Sequence, residues 1–517
     1  MPGDYSWMLG AVTAEEMKHS AAEVVRLGVE FKQRPPLLQE WRLERAVIEE
    51  MSRVADEGTS LEVLLEWLRS VVFPGSLNFG SPTFLAHPDN GSSTAGVLGD
   101  IASAFLSQNL SSIDYSPVAT LLEQQLLAQL REVVDYPRAD GPGAQAAGGG
   151  IVFGGSQANY SGLLAAREHL RRQLADQGKR FDPRRTRVLA NRPYSHFSLR
   201  RSLHLLGLGN ADLTDEELAA EGLERESLRD VGVDNLRTDP SDLERQIVAV
   251  RERGEDVMAV FAVAGDSRFM TFDDLEAVCD IAERHDVWVH VDACEGGQVL
   301  FSPRTRHRMR GVARSHSVSI DPHKVLLVPY NVSAFFLRDP KWLGYYATNP
   351  TTLINQEEDS LGGTTPGINS KGFISLKLIM MLRHWGWNRL AEEIDRRHEM
   401  ALHAARLIKA HPRLRLLNPE VEHNAVGFAY VPTASSDLDM VNSLNREIHR
   451  LLNQTTSYFI HAFLSRDGHG IVSPSHGSVY ALRMMYGNPL GRPAEITGAI
   501  EAIVALGDRL VQLCDAA

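Results

Sequence analysis

The stretch Ser317-Val318-Ser319-Ile320-Asp321-Pro322-His323-Lys324-Val325-Leu326-Leu327-Val328-Pro329-Tyr330 decides how this chain is read. It carries one lysine, Lys324, and runs on into an apolar, β-prone tract ending in Ala334-Phe335-Phe336-Leu337. A lysine set between apolar runs is partly buried. Burial disfavours the ammonium, so the neutral amine becomes a usable nucleophile. Such an amine suits a Schiff base with a carbonyl compound. A lysine that snorkels its head to the surface beside a strand has the same local sequence, so the choice falls to the rest of the chain.

Upstream, Val287-Trp288-Val289-His290-Val291-Asp292-Ala293-Cys294-Glu295-Gly296-Gly297 reads as a buried strand that ends in an aspartate and a Gly-Gly turn. An acid at the carboxyl end of a parallel strand sits where open α/β sheets bind ligands. A lysine for an imine and an aspartate for a pyridine nitrogen are the two protein groups that pyridoxal 5'-phosphate requires. The two segments lie about thirty residues apart. In that order they resemble the pyridoxal-dependent group II amino acid decarboxylases, a family that includes glutamate, aromatic amino acid, tyrosine and diaminobutyrate decarboxylases.

Further segments carry the same resemblance. Ile151-Val152-Phe153 leads through Gly154-Gly155-Ser156-Gln157-Ala158-Asn159 into a helical run. A strand, Gly-rich turn and helix present backbone N–H groups and a hydroxyl to a phosphate. Tyr194-Ser195-His196-Phe197-Ser198 matches the family segment whose histidine lies on the cofactor ring, which implies stacking and proton transfer for His196. The resemblance implies an α/β chain of pyridoxal-phosphate fold type I, similar to aspartate aminotransferase. It implies a mostly parallel seven-stranded sheet in a large domain and a smaller C-terminal α/β domain. The expected division is an N-terminal helical segment over 1–115 packing on a dimer partner, the cofactor domain over 116–385 and the small domain over 386–517.

By the same resemblance, Lys324, His196 and Tyr330 are the candidate catalytic residues, with Tyr345 and Tyr346 as rivals to Tyr330 for protonating Cα. Gly155, Ser156, His196, Asp292, Cys294, His323, Lys324 and Thr364 are the candidate cofactor ligands. Thr364 is expected to reach the phosphate across a dimer interface. Phe84, His87 and Glu295 are candidates for the substrate wall, although His87 also reads as a turn histidine. Glu295 stands where relatives often carry an aromatic or small residue. Facing the cavity, it would favour a cationic side chain. Arg483 reads as a structural ion pair or as a partner for a substrate carboxylate.

With 517 residues the chain is long enough for two or three lobes, and 43% hydrophobic with 23% charged residues is ordinary for a globular enzyme. Net charge −13 argues against nucleic acid or an anionic membrane as partner. Cys279, Cys294 and Cys514 show neither metal-ligand nor disulfide spacing, as expected in a reducing cytoplasm. The opening residues lack a signal-peptide pattern, and no apolar run is long enough to span a bilayer.

Leu61, Leu64, Leu65 and Leu68 form an apolar helical stripe that needs covering by the main domain or a second subunit. The acidic segment from Asn210 to Arg237 reads as an exposed, solvated helix. The segment from Asp339 to Leu361 falls where relatives carry a mobile catalytic loop, and it matches them poorly. The favoured activity is decarboxylation of an L-amino acid to a primary amine. The alternatives are an oxygen-using variant on the same scaffold, a transaminase and a non-catalytic paralogue.

Overall fold

The computed structural model describes residues 8–9, 14–36, 45–54, 56–88, 91–137, 147–210, 212–346, 360–367, 370–432, 437–465 and 477–515. Its centre is a seven-stranded sheet: β1 (Gly149–Val152), β2 (Thr186–Ala190), β3 (Leu228–Asp230), β6 (Asp256–Val263), β7 (Trp288–Asp292), β8 (Ser317–Ile320) and β9 (Ser333–Leu337), in the spatial order β1-β9-β8-β7-β6-β2-β3. The hairpin β4 (Val233–Asp234) and β5 (Arg237–Thr238) lies outside it. Strands β3, β2, β6, β7 and β8 pair in parallel, while β9 runs antiparallel to both β8 and β1.

The local causes are legible. Strands β6 and β7 are buried almost throughout, the pattern of parallel strands covered on both faces. The returning helices start at side-chain caps: Asp239 accepts the Ser241 N–H ahead of Pro240–Glu252, and Asp274 accepts the Ala277 N–H ahead of Leu275–Arg284. Each satisfies a backbone donor that the first helical turn leaves without an acceptor. Gly265 follows β6 with φ 84°, and a Cβ there would lie 2.4 Å from the Gly296 Cα. Only glycine lets the turns after β6 and β7 meet this closely.

A four-stranded antiparallel sheet, β10 (Leu414–Leu416), β11 (Ala425–Tyr430), β12 (His461–Ser465) and β13 (Val479–Met485), has the order β10-β11-β13-β12 and its own apolar core. The helix Leu376–Ala410 links the two sheets and breaks at Gly386, which has φ 68°. No helix among the described residues is long and apolar enough to cross a membrane.

Two expectations change and a third is narrowed. The tract Val325-Leu326-Leu327-Val328 is buried but is not a strand: after β8 the chain makes the short helix Pro322–Val325 and an irregular passage before β9. The acidic segment is helical only over Asp215–Glu221, stopped by Gly222 in the left-handed region. It then supplies the edge strand β3, because Leu228 finds a buried position beside β2. The leucine stripe is covered only in part within the chain: Leu65 and Leu68 are half-buried, whereas Leu61 is 68% and Leu64 43% exposed, which leaves a second subunit as the remaining cover.

Candidate active site

Lys324 lies in the helical turn after β8, with its Nζ 3.1 Å from Asp321 Oδ2 and 3.7 Å from Glu295 Oε1. Asp321 is buried, and its Oδ1 accepts the Ser333 hydroxyl at 2.5 Å. Glu295 is also buried and belongs to the turn after β7. The register Asp292↔Ser319 between β7 and β8 sets these two turns side by side.

Asp292 closes β7 inside a hydrogen-bond network centred on Asn159, which is 1% exposed. Asn159 Nδ2 donates to Asp292 Oδ2 at 2.9 Å and to Ser198 Oγ at 3.1 Å. Its Oδ1 accepts from the Ser319 hydroxyl at 2.5 Å and from His290 Nε2 at 3.0 Å. All four hydrogen-bonding positions of the amide are filled. The other Asp292 oxygen accepts the Cys294 N–H at 3.2 Å. Burial pushes the Asp292 carboxyl up, but His196, Cys294 and Lys324 outweigh it and hold it below the usual aspartate range. It therefore stays ionised.

His196 Nδ1 accepts the Ser198 N–H at 3.2 Å and pairs with the Ser198 hydroxyl at 2.8 Å. With Nδ1 occupied as an acceptor, the neutral ring carries its proton on Nε2. Burial lowers the His196 pKa, against the opposing charge of Asp292. Deeper in the sheet, burial holds His290 neutral, its pKa lowered to about 4.

These groups open on one cavity of about 480 Å³ at the carboxyl ends of the parallel strands. Gly154, Gly155 and Ser156 form one wall, Asp292, Cys294 and Glu295 another, and His323, Lys324 and Tyr330 a third. The small sheet contributes His461 from β12 and Arg483 from β13. A Cβ on Gly155 would lie 2.6 Å from Asp321 Oδ2 and 2.7 Å from Cys294 Sγ, so the start of the helix Gly155–Asp176 abuts the lysine turn directly. The N–H groups of its first turn have no acceptor inside the helix.

A model of the pyridoxal-dependent decarboxylase conserved domain matches residues 46–431. The chain belongs to the pyridoxal-dependent decarboxylase family. It is a pyridoxal-phosphate-dependent carboxy-lyase. Among the solved structures that share its fold are three of clear likeness. Apo mouse CSAD is 23% identical with a TM-score of 0.81, over 96% of this chain and 99% of that one. Oryza sativa TDC with PLP and tryptamine is 24% identical with a TM-score of 0.83, over 96% and 99%. Rhodiola rosea 4-hydroxyphenylacetaldehyde synthase is 20% identical with a TM-score of 0.79, over 97% and 99%.

The residues of this decarboxylase fit its cofactor. A helix N-terminus with two glycines and a serine suits a phosphate, an ionised buried carboxylate suits a protonated ring nitrogen, and a lysine amine opens on the same cavity. Of the cofactor ligands expected from sequence, Gly155, Ser156, His196, Asp292, Cys294, His323 and Lys324 all line the cavity, as do Tyr330, His87 and Glu295.

Phe84 does not line the cavity, and within the single chain neither does Thr364, whose expected reach is across a dimer interface. Phe84 is 2% exposed and packs between Phe79 and Phe459, with ring centroids 5.0 and 5.7 Å away, behind the cavity rather than on its wall. Its segment pairs with Phe459 of the small sheet's approach, and that contact buries the ring. The Thr364 hydroxyl donates to the Leu361 carbonyl at 3.2 Å within its own turn. That turn meets the phosphate wall of the same chain through Gln157 Nε2, which donates to the Pro366 carbonyl at 3.0 Å. Tyr345 bonds His169 at 3.1 Å, and the Tyr346 hydroxyl donates to the Ser161 carbonyl at 2.7 Å; neither lines the cavity. Residues 347–359 of the expected catalytic loop lie outside the described residues.

Arg483 lines the cavity and donates to the Ser267 carbonyl and, at 2.6 Å, to the Ala86 carbonyl. Asp266 is spent on its turn, accepting from Arg268, Phe269 and Thr271. Sequence reasoning passed over Asn159, Asp321 and His461. The first two belong to motifs already quoted for their neighbours, whereas His461 has no local signal.

Proposed function

We propose that this protein removes the carboxylate of an L-amino acid as carbon dioxide and releases the primary amine, with Lys324 forming the Schiff base. The observation that carries this reading is the meeting of the Lys324 amine, the ionised Asp292 carboxylate and the Gly154–Ser156 turn on one cavity. When bound, pyridoxal phosphate supplies the sink for the electron pair left at Cα. The chain's own groups do the rest. Asp292 keeps the ring nitrogen protonated, and Asn159 holds Asp292 in place. Gly155 and Ser156 bind the phosphate. His196, with its proton on Nε2, orients the reacting face. Tyr330, half exposed at the cavity wall, returns a proton to Cα.

His87 and Glu295 form the substrate wall, and the buried Phe84 backs it. The partner is a second copy of this chain, since Val97, Leu98, Ile101, Phe105 and Leu106 of the helix Thr94–Leu106 are all exposed apolar side chains beside Tyr115 and Val118. The three cysteines are free, which suits a reducing cytoplasm.

The second reading is an oxygen-using reaction that ends in an aldehyde. It is favoured by Tyr345 and Tyr346, both engaged away from the cavity, and by a fold shared with an aldehyde synthase. An absorbance spectrum with pyridoxal phosphate, followed by an amine and carbon dioxide screen over L-amino acids, separates the readings. A visible band absent in Lys324→Ala, with equimolar amine from one substrate, is the expected result. Ammonia and peroxide would select the second reading, and no band in the native protein would refute both.

A further inference from the structure

Two acids lie within ionic reach of Lys324, Asp321 on its own turn and Glu295 on the turn that faces it. Glu295 Oε1 lies 3.7 Å from Lys324 Nζ, on the wall of the same cavity. The separation is built in. Gln298 Nε2 donates to the Glu295 carbonyl at 3.1 Å, and the Gln298 side-chain oxygen accepts from Arg397 Nη1 at 2.9 Å. The same Arg397 nitrogen donates to the Val325 carbonyl, next to Lys324, at 2.9 Å. Arg397 is 1% exposed and pairs with Glu393 at 3.3 Å. One buried guanidinium thus gauges the distance between the turn bearing Glu295 and the turn bearing Lys324.

Every charged or titratable neighbour of the amine bears on its proton. Asp321 lies on its own turn at 3.1 Å, and its other oxygen takes the Ser333 hydroxyl. Asp292 accepts from Asn159 and Cys294, and Asp266 from its own turn. His323 Nδ1 is held at the Val332 carbonyl at 2.7 Å, and His196 Nδ1 by Ser198. His87, His461, Tyr194, Tyr330 and Arg483 complete the wall. Asp292 and Asp266 are fixed acceptors whose bonds hold the geometry, and Asp321 spends Oδ1 on Ser333 while its Oδ2 faces Nζ. Glu295 is the acid of the turn facing Lys324, and Arg483 places an opposite charge near it.

We propose that Glu295 acts together with Asp321 to hold Lys324 charged and that Glu295 carries the proton exchanged at its Nζ. This rests on the amino acid decarboxylase reading above. An amino acid arrives as an ammonium and must lose a proton before its nitrogen can replace Nζ on the carbonyl carbon. Glu295 takes that proton: one N–H bond breaks and one O–H bond forms. As Nζ is released, the O–H bond breaks and the same proton passes to the lysine nitrogen. No electrons are gained or lost. An opposite charge at this range raises a base's proton affinity by about ten- to a thousandfold. Arg483 offsets part of it, so about tenfold is expected.

The test uses Glu295→Gln with two readouts. In the cofactor-free protein, Lys324 is labelled with trinitrobenzenesulfonate at neutral pH and followed by mass spectrometry. Labelling should be about tenfold faster in the variant, because the amine loses a proton more readily. In the holoenzyme, the pH at which the visible band titrates should fall by about one pH unit. Glu295→Asp, which keeps the charge at greater reach, should lie between the two and serves as the test if the glutamine variant does not fold. Unchanged labelling and unchanged titration would overturn the proposal, as would a raised KM for basic amino acids with both readouts unchanged, which would make Glu295 a reader of the substrate side chain. A native protein with no visible band would refute the decarboxylase reading, while the labelling rates would still report on Glu295.

Discussion

Asn159→Ala is the perturbation with the widest expected reach, because one buried amide serves four partners. Its loss strands the His290 Nε2–H, leaves the Ser319 hydroxyl only the Cys294 sulfur at 3.4 Å, and removes one donor each from Asp292 and Ser198. A buried donor without a partner costs about 1–3 kcal/mol, and a hydrogen bond to a charged group contributes about 1.5–3 kcal/mol. The vacated space holds about one water, which restores part of the loss. A net destabilisation of about 3–5 kcal/mol follows. The assay is denaturant unfolding of the cofactor-free protein at fixed concentration, so that cofactor binding and oligomerisation do not mask the change. A second consequence is electrostatic. Asp292 sits below its ordinary pKa, so its contribution to stability and cofactor binding is present above the unfolded-state pKa and lost as pH falls through the folded one. Removing the Asn159 donor brings the folded pKa back up, and the variant should release cofactor at a higher pH than the native protein. A variant within about 1 kcal/mol of native that releases cofactor at the native pH would refute the role given to Asn159.

Two further outcomes are expected. Burial lowers His290 to about 4, and His316 and His423 to about 3. As pH falls below the ordinary histidine value, the unfolded chain takes up protons that the folded chain refuses. Stability should therefore drop by up to about 1.4 kcal/mol per histidine per pH unit until the folded values are reached. Thermal melts between pH 7 and 5 check this, and a flat profile would contradict it. Gly155→Ala should weaken pyridoxal phosphate binding at least about tenfold and destabilise the cofactor-free protein by about 1–3 kcal/mol, because the new Cβ collides with the buried Asp321 and Cys294 side chains. Equilibrium titration with the cofactor reads the first, and unchanged affinity would show that the helix start has room to shift.

Much of the machinery was legible because the fold places it at the ends of strands. Asp292 closes an apolar run, Lys324 follows another, and the glycines at 154 and 155 separate a strand from a helix, so each side chain's location follows from local pattern. The apolar tract after Lys324 misled as a strand because burial and β-propensity look alike in sequence. Its residues are buried, yet after β8 the chain turns to meet β9 antiparallel instead of extending. Phe84 misled for a related reason: an aromatic in a Pro-rich loop looks available to a ligand, whereas here Phe79 and Phe459 enclose it.

The sequence by itself determined the mostly parallel architecture and, through its resemblance to a family, the cofactor, and it named a lysine, an aspartate and a histidine that all line one cavity, since each lies in a short segment of recognisable pattern. The tertiary structure alone decided which distant groups join them. Asn159 bonds partners up to 160 positions away, His461 and Arg483 arrive from a second sheet, and Arg397 pins two turns from a long helix. Such contacts depend on how strands are ordered and helices packed, and no local pattern carries that information.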